Sequence, residues 1–135
     1  MKPREILVVD DTPDCLFVLR GMIESTGHHV RTAQSGREAL EAMAVAVPDL
    51  VMLDMMMPEM SGLEVLERIR SIPATARVPV ILVTARTDDD DVMAGYQVGA
   101  DYYITKPCTA RQVAHGIALV LGEAETADGP AASVL

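Results

Sequence analysis

The sequence contains no apolar stretch long enough to cross a membrane. Its longest uninterrupted apolar runs, such as residues 6–9 and 80–83, fall far short of the roughly 20 residues that a transmembrane helix needs. The first apolar run also stops at Asp10 and Asp11, too soon for a secretory signal. We therefore expect a soluble, cytoplasmic protein with no membrane partner.

Cysteine and basic residues are both scarce. The two cysteines, Cys15 and Cys108, have a spacing that matches no zinc or redox motif, so we expect reduced, unpaired thiols. The formal net charge is −9, and no stretch gathers enough Lys and Arg to form a basic face. Because an acidic chain is repelled by a phosphate backbone, direct nucleic-acid binding is not expected.

The length and apolar content fit one globular domain. Half of the 135 residues are apolar, which is enough for a sizeable core without disulfides. We expect the domain to occupy residues 1–122. The segment 123–135 is rich in Ala, Glu, Gly and Pro without periodicity, and we expect a flexible tail there.

Five short apolar runs predict β-strands at residues 6–9, 29–32, 50–53, 78–83 and 102–105. The first, third and fourth are almost continuously apolar, as expected for parallel strands covered on both faces. Helical signals fill the gaps: an apolar stripe ending at Gly27, an acidic run at residues 88–91, and three capping-box pairs. Those pairs are Ser35 with Glu38, Ser61 with Glu64, and Thr109 with Gln112. The alternation predicts an α/β, doubly wound parallel sheet of five strands flanked by five helices.

Polar side chains follow the predicted strands at the point where each strand ends. They are Asp10, Asp11, Asp54, Thr84 and Lys106. Ligands of doubly wound sheets bind at the carboxyl ends of the strands, so we expect one pocket containing three carboxylates, a hydroxyl and an ammonium.

Three carboxylates in one pocket repel one another unless a cation offsets their charge. An all-oxygen ligand set suits Mg²⁺, with Mn²⁺ as an alternative. An Asp carboxylate can then accept a phosphoryl group when a metal and a cation neutralise the phosphoryl oxygens. We expect Asp11 and Asp54 to hold the metal, Asp10 to orient a metal-bound water, and Lys106 and Thr84 to face the phosphoryl group.

The ordered set of motifs resembles the CheY-like receiver domains of bacterial response regulators in two-component systems. The likeness covers residues 4–121. The matching residues are Val8-Val9-Asp10-Asp11, Leu53-Asp54, Met57-Pro58-Glu59-Met60 with Gly62, Val83-Thr84-Ala85, Gly99-Ala100-Asp101 and Lys106-Pro107. The resemblance implies a flavodoxin-like strand order of 2-1-3-4-5.

The resemblance also assigns roles. Asp54 would accept a phosphoryl group from a histidine kinase or a histidine phosphotransfer protein, and the backbone carbonyl of Met56 would be a further metal ligand. Thr84 and Tyr103 would be the switch residues, and Lys106-Pro107 would form a cis peptide that aims the lysine. The protein would be a signalling phosphoacceptor that catalyses only its own phosphorylation and slow dephosphorylation.

Phosphorylation would shift a pre-existing equilibrium and alter the face formed by helix 4, strand 5 and helix 5. This face would bind an unidentified downstream protein or a second copy of the chain. Met56 and Arg86 flank the water path in the family. Because Met56 cannot polarise water, we expect slow self-dephosphorylation. Cys108 stands where the family commonly has Phe.

Three alternatives remain open. A receiver fold can act as an interaction domain without phosphorylation, although the intact acidic set argues against this reading. A metal-dependent phosphatase usually has a second Asp where this chain has Met56. The methionines at residues 55–57 suggest a soft-metal site, but flexible Met filling a core gap is much commoner.

Overall fold

The computed structural model describes residues 2–85 and 88–122, in which five strands alternate with five helices. The elements are β1 Glu5–Val9, α1 Pro13–Glu24, β2 His29–Ala33, α2 Gly36–Val45, β3 Leu50–Leu53, α3 Gly62–Ser71, β4 Val80–Thr84, α4 Asp89–Val98, β5 Tyr102–Thr105 and α5 Ala110–Val120. None of these helices is both long and apolar enough to cross a bilayer. The predicted flexible tail, residues 123–135, lies outside the described residues.

All strand pairs in the sheet are parallel, and the strand order is β2-β1-β3-β4-β5. This confirms the predicted doubly wound, flavodoxin-like fold. The winding direction changes between β1 and β3, so the carboxyl ends of these two strands border the crevice where such folds bind ligands.

The core has two halves because neighbouring residues of a strand point to opposite faces of the sheet. Leu7 and Val9 pack with the buried side chains of α2 and α3 on one face. Ile6 and Val8 pack with those of α1 and α5 on the other. Covering both faces explains why β1, β3 and β4 are almost wholly apolar.

Two of the three predicted capping boxes are complete. In those at Ser61 and Thr109, the side chain of the capping residue and that of the third helical residue each accept a hydrogen bond from the other's backbone amide. At Ser35 only half is present, because the Glu38 carboxylate accepts a hydrogen bond from the Gln34 amide instead. The helix still begins where predicted, since the Ser35 hydroxyl accepts from the Glu38 amide.

The fourth strand begins two residues later in the structure than the sequence pattern predicts. β4 starts at Val80, not at residue 78, because Pro79 has no amide hydrogen to donate to the ladder. The carbonyl of Val78 instead accepts a hydrogen bond from the Arg70 guanidinium. Smaller differences are that β1 begins at Glu5 and that β2 continues to Ala33.

Arg70, near the end of α3, forms hydrogen bonds with the loop that leads from α4 into β5. Its guanidinium donates twice to the carbonyl of Gly99, at 3.1 and 2.7 Å, and once to the Asp101 carboxylate at 3.1 Å. Asp101 also accepts a hydrogen bond from the Val80 amide at 2.8 Å. Gly99 has a φ of 122°, and a Cβ there would lie 2.9 Å from Arg70 Nε, so this position requires glycine.

Candidate functional site

The acidic residues predicted from the strand ends lie together in the structure. Asp10, Asp11 and Asp54 each place a carboxylate oxygen within 4.8 Å of the other two. Asp10 and Asp54 are buried, and Asp11 is the most exposed of the three. The sheet therefore concentrates negative charge at one point beside the change in winding direction.

The backbone of the sheet continues one residue beyond the strands and fixes the two buried acids. The Asp10 amide donates to the Ala33 carbonyl at 3.1 Å, and the Asp54 amide donates to the Val9 carbonyl at 3.0 Å. In each acid, Oδ1 accepts a hydrogen bond from the amide two residues later, that of Thr12 or Met56. The orientation of both carboxylates is thus set by local backbone.

The other oxygen of each buried acid lies near the ammonium of Lys106. Lys106 Nζ is 2.6 Å from Asp10 Oδ2 and 3.6 Å from Asp54 Oδ2. The lysine is held by its own backbone, because its amide donates to the Thr84 carbonyl at 2.9 Å. The peptide bond between Lys106 and Pro107 is cis, as the resemblance implied.

The pKa of Asp54 is raised above its ordinary value. Burial is the main cause, and the charge of Asp10 adds to it. Hydrogen bonds from the Met56 amide and the Thr84 hydroxyl, together with the charge of Lys106, oppose the shift without cancelling it. Asp54 is therefore a carboxylate whose charge is incompletely compensated by its protein neighbours.

The pKa of Lys106 is also raised. Burial lowers it, but the hydrogen bond to Asp10 and the charges of Asp54 and Asp10 outweigh that effect. When all groups are ionised, three carboxylates face one ammonium, which leaves an excess of two negative charges. An all-oxygen donor set with this charge fits a hard divalent cation.

The two predicted switch residues lie in the neighbouring strands β4 and β5. Thr84 is fully buried at the end of β4. Tyr103 is partly buried, and its hydroxyl lies 3.2 Å from Sδ of Met55, the residue after Asp54. Its ring is 6.5 Å from the ring of Tyr96 in α4. Tyr103 thus connects the segment after Asp54 to the surface of α4.

The three consecutive methionines do not act as one group. Met55 and Met57 are buried and belong to the core, whereas Met56 is 51% exposed. The arrangement agrees with gap filling at two positions and leaves Met56 at the mouth of the site. Arg86, the other residue predicted to tune dephosphorylation, lies outside the described residues.

The loop after Asp54 turns back tightly beneath it, a feature that the sequence pattern did not indicate. Glu59 has a φ of 68°, and the Met60 amide donates to the Pro58 carbonyl at 2.7 Å. The loop then brings Gly62 so close that a Cβ there would lie 2.2 Å from the Asp54 carbonyl oxygen. A glycine two residues after Met60 was the available signal for this close approach.

A family model described as the response regulator receiver domain matches residues 6–118. The chain belongs to this family. The match includes all five strands and all five helices. It omits only the first residue of β1 and the last two residues of α5. The predicted resemblance is therefore confirmed.

Curated relatives and a solved structure agree with this assignment. The receiver domain is 36% identical over 124 residues to the alkaline phosphatase synthesis transcriptional regulatory protein PhoP of Bacillus subtilis, covering 92% of this chain and 51% of that protein. It is 40% identical over 125 residues to the transcriptional regulatory protein AfsQ1 of Streptomyces coelicolor, covering 91% and 54%. The chain thus spans about half the length of these relatives. The chemotaxis protein CheY4 of Vibrio cholerae superposes with a TM-score of 0.84 at 27% identity, covering 88% of this chain and 99% of that one.

Proposed function

We propose that this receiver domain is a Mg²⁺-dependent phosphoacceptor that takes a phosphoryl group onto Asp54 from a histidine kinase or a histidine phosphotransfer protein. One observation carries the proposal: the Asp54 carboxylate lies in a buried pocket with two further carboxylates and the Lys106 ammonium. The domain would comprise residues 1–122. It acts as a signalling switch rather than as an enzyme on external substrates.

The charge and oxygen chemistry of the pocket support a divalent cation. Asp11, Asp54 and the backbone carbonyl of Met56 would bind it, and Asp10 would act through a bound water. When bound, Mg²⁺ neutralises negative charge on the phosphoryl oxygens. Mn²⁺ has the same ligand preference and would substitute.

In the transfer step, a carboxylate oxygen of Asp54 attacks the phosphorus atom of a phosphohistidine. The new O–P bond forms as the P–N bond breaks, and the imidazole leaves. Burial supports this step because a poorly solvated carboxylate with a raised pKa is a better nucleophile. Lys106 supplies a fixed positive charge beside the attacked group.

The contacts that Thr84 and Lys106 make with Asp54 also transmit phosphorylation to the protein surface. In the unphosphorylated protein the Thr84 hydroxyl and Lys106 both interact with Asp54. A phosphoryl group adds charge and acceptor oxygens at that point and draws both groups toward itself. Thr84 and Tyr103 then move together, and the surface of α4, β5 and α5 changes its affinity for a protein partner or a second copy of the chain. Exposed Met93, Tyr96 and Leu119 give that surface apolar contact area.

The test is to incubate the protein with a small-molecule phosphodonor and Mg²⁺ and to measure intact mass. We expect one added phosphoryl group on the wild type and on Asp90→Ala, an exposed acid of α4. Asp54→Ala should gain none, and chelating Mg²⁺ should abolish the reaction. If the wild type gains no phosphoryl mass, the phosphorylation-independent interaction domain becomes the better explanation.

A further inference from the structure

Both cysteines of the chain line one groove. The groove lies beside the acidic pocket, which is formed by Asp10, Asp11, Asp54 and Lys106. The groove has a volume of about 460 Å³ and lies between α1 and the segment that follows β5. Leu19 and Met22 of α1 form one side, and Pro107 lies on the other. Cys15 and Cys108 contribute to it from opposite sides, although 93 positions separate them in sequence.

The two segments that carry these cysteines are held against each other by the acidic pocket. Cys15 lies in the first turn of α1, which follows directly on Asp10 and Asp11. Cys108 follows Lys106 by two residues, and Lys106 Nζ is bound to Asp10 at 2.6 Å. The ion pair therefore keeps the start of α1 beside the segment after β5.

Both thiols are partly exposed and border the same groove. Each cysteine is partly buried and free in the structure. Burial raises the pKa of the Cys108 thiol, whereas the charge of Lys106 lowers it. Both side chains border the open volume of this groove, and a bridge between them would lie there.

We propose that Cys15 and Cys108 form a reversible disulfide across this groove, in exchange with a low-molecular-weight disulfide such as oxidised glutathione. One cysteine thiolate attacks a sulfur of the glutathione disulfide, and one glutathione thiolate leaves. The second cysteine thiolate then attacks the protein sulfur of this mixed disulfide, and the second glutathione leaves. Two protein thiols are oxidised and one glutathione disulfide is reduced to two thiols. The proposal is independent of the phosphoacceptor function.

The bridge would join α1 covalently to the segment that carries Lys106 and Pro107. It would also close a chain loop of about 90 residues, which limits the freedom of the unfolded chain. A bond that fits the native geometry therefore stabilises the fold. We expect the oxidised protein to melt roughly 5 to 10 °C above the reduced protein.

The first experiment treats the full chain with excess oxidised glutathione, blocks remaining thiols with an alkylating agent, and measures intact mass. We expect a monomer that has lost two hydrogens, carries neither glutathione nor alkyl groups, and reverts with dithiothreitol. Cys15→Ser and Cys108→Ser should each retain a single glutathione adduct, because no second thiol resolves it. Wild-type protein with an adduct on both cysteines, or a disulfide-linked dimer, would overturn the proposal.

A second measurement tests whether the bond fits the native fold. Proteolysis without reduction should yield one linked peptide pair that contains Cys15 and Cys108. The melting temperature of the oxidised wild type should rise, while both serine variants melt alike with or without glutathione. An oxidised protein that melts below the reduced form would contradict a groove built to accept the bond.

Discussion

The ammonium of Lys106 lies 2.6 Å from the carboxylate of Asp10, a residue 96 positions earlier in the chain. The Asp10 side chain is only 1% exposed, so water contributes little to its stabilisation. The same ammonium is 3.6 Å from Asp54. One lysine thus places a positive charge beside two buried carboxylates at the ends of different strands.

Replacing Lys106 with methionine should slow phosphorylation of Asp54 roughly 100-fold, because a fixed charge at the reacting group is lost. The rate is measured by intact mass during incubation with a small phosphodonor and saturating Mg²⁺. Lys2→Met removes an equal charge from an exposed position and should leave the rate unchanged. An unaltered rate in Lys106→Met would exclude the proposed role of the ammonium.

Asp54→Asn should stabilise the metal-free protein at neutral pH. Because the folded-state pKa of Asp54 is raised, its protonated form favours folding below the ordinary pKa, and this contribution is lost as the pH rises through the folded value. Asparagine cannot ionise and avoids that loss. In chelator at pH 7 we expect a gain of roughly 1 kcal/mol in the free energy of unfolding.

Denaturant titrations across pH check the sign of this effect. The stability advantage of Asp54→Asn should shrink as the pH falls through the raised folded-state pKa of Asp54, because the wild-type carboxyl then takes up a proton. Asp90→Asn, at an exposed position, is the control substitution and should lack the gain in stability at pH 7. A variant advantage that grows on acidification would show that Asp54 has a lowered pKa.

Gly62→Ala should destabilise the fold by about 3 kcal/mol, since its Cβ would lie 2.2 Å from the Asp54 carbonyl oxygen and backbone must move. Gly21→Ala is the matched control. No atom lies within 4 Å of a Cβ built at Gly21 in α1, so alanine there should stabilise by about 0.5 to 1 kcal/mol. Thermal and denaturant unfolding measure both, and a neutral Gly62→Ala would contradict the close approach.

Met56→Asn should shorten the lifetime of the phosphorylated protein about tenfold, because an amide at the mouth of the site can orient an attacking water. The Met56 side chain is already half exposed, so the substitution should not disturb the core. Loss of phosphoryl mass with time gives the rate. Met93→Asn, another exposed methionine, should decay like the wild type.

The sequence alone was sufficient to predict the alternation of elements and the convergence of the strand-end polar residues. The buried strands are marked by continuous apolar runs, and Ser61 and Thr109 mark helix starts through local hydrogen bonds. Asp10 and Asp54 could be placed together because parallel strands end at the same edge of a sheet. These features depend on local patterns or on a simple topological rule.

Features that depend on contacts between distant segments could not be predicted. Glu59 has a left-handed backbone in the loop that brings Gly62 against the Asp54 carbonyl, and the backbone preference of Glu does not signal that conformation. The bonds from Arg70 to Gly99 and Val78 join helix α3 to two separate loops. The shared groove of Cys15 and Cys108 likewise follows from tertiary packing, because their sequence spacing matches no motif.

The fastening of Gly99 by Arg70 gives α4 two unequal ends. The C-terminal end is bound to α3, because Arg70 donates a hydrogen bond to the carbonyl of Gly99. At the N-terminal end, the capping residue Asp88 forms no side-chain capping bond and precedes an acidic first turn. Along its length α4 buries only Gly95, which rests against Leu82. Because the C-terminal end of α4 is held at Gly99, we expect a displacement of Thr84 to move the N-terminal end of the helix more than its C-terminal end.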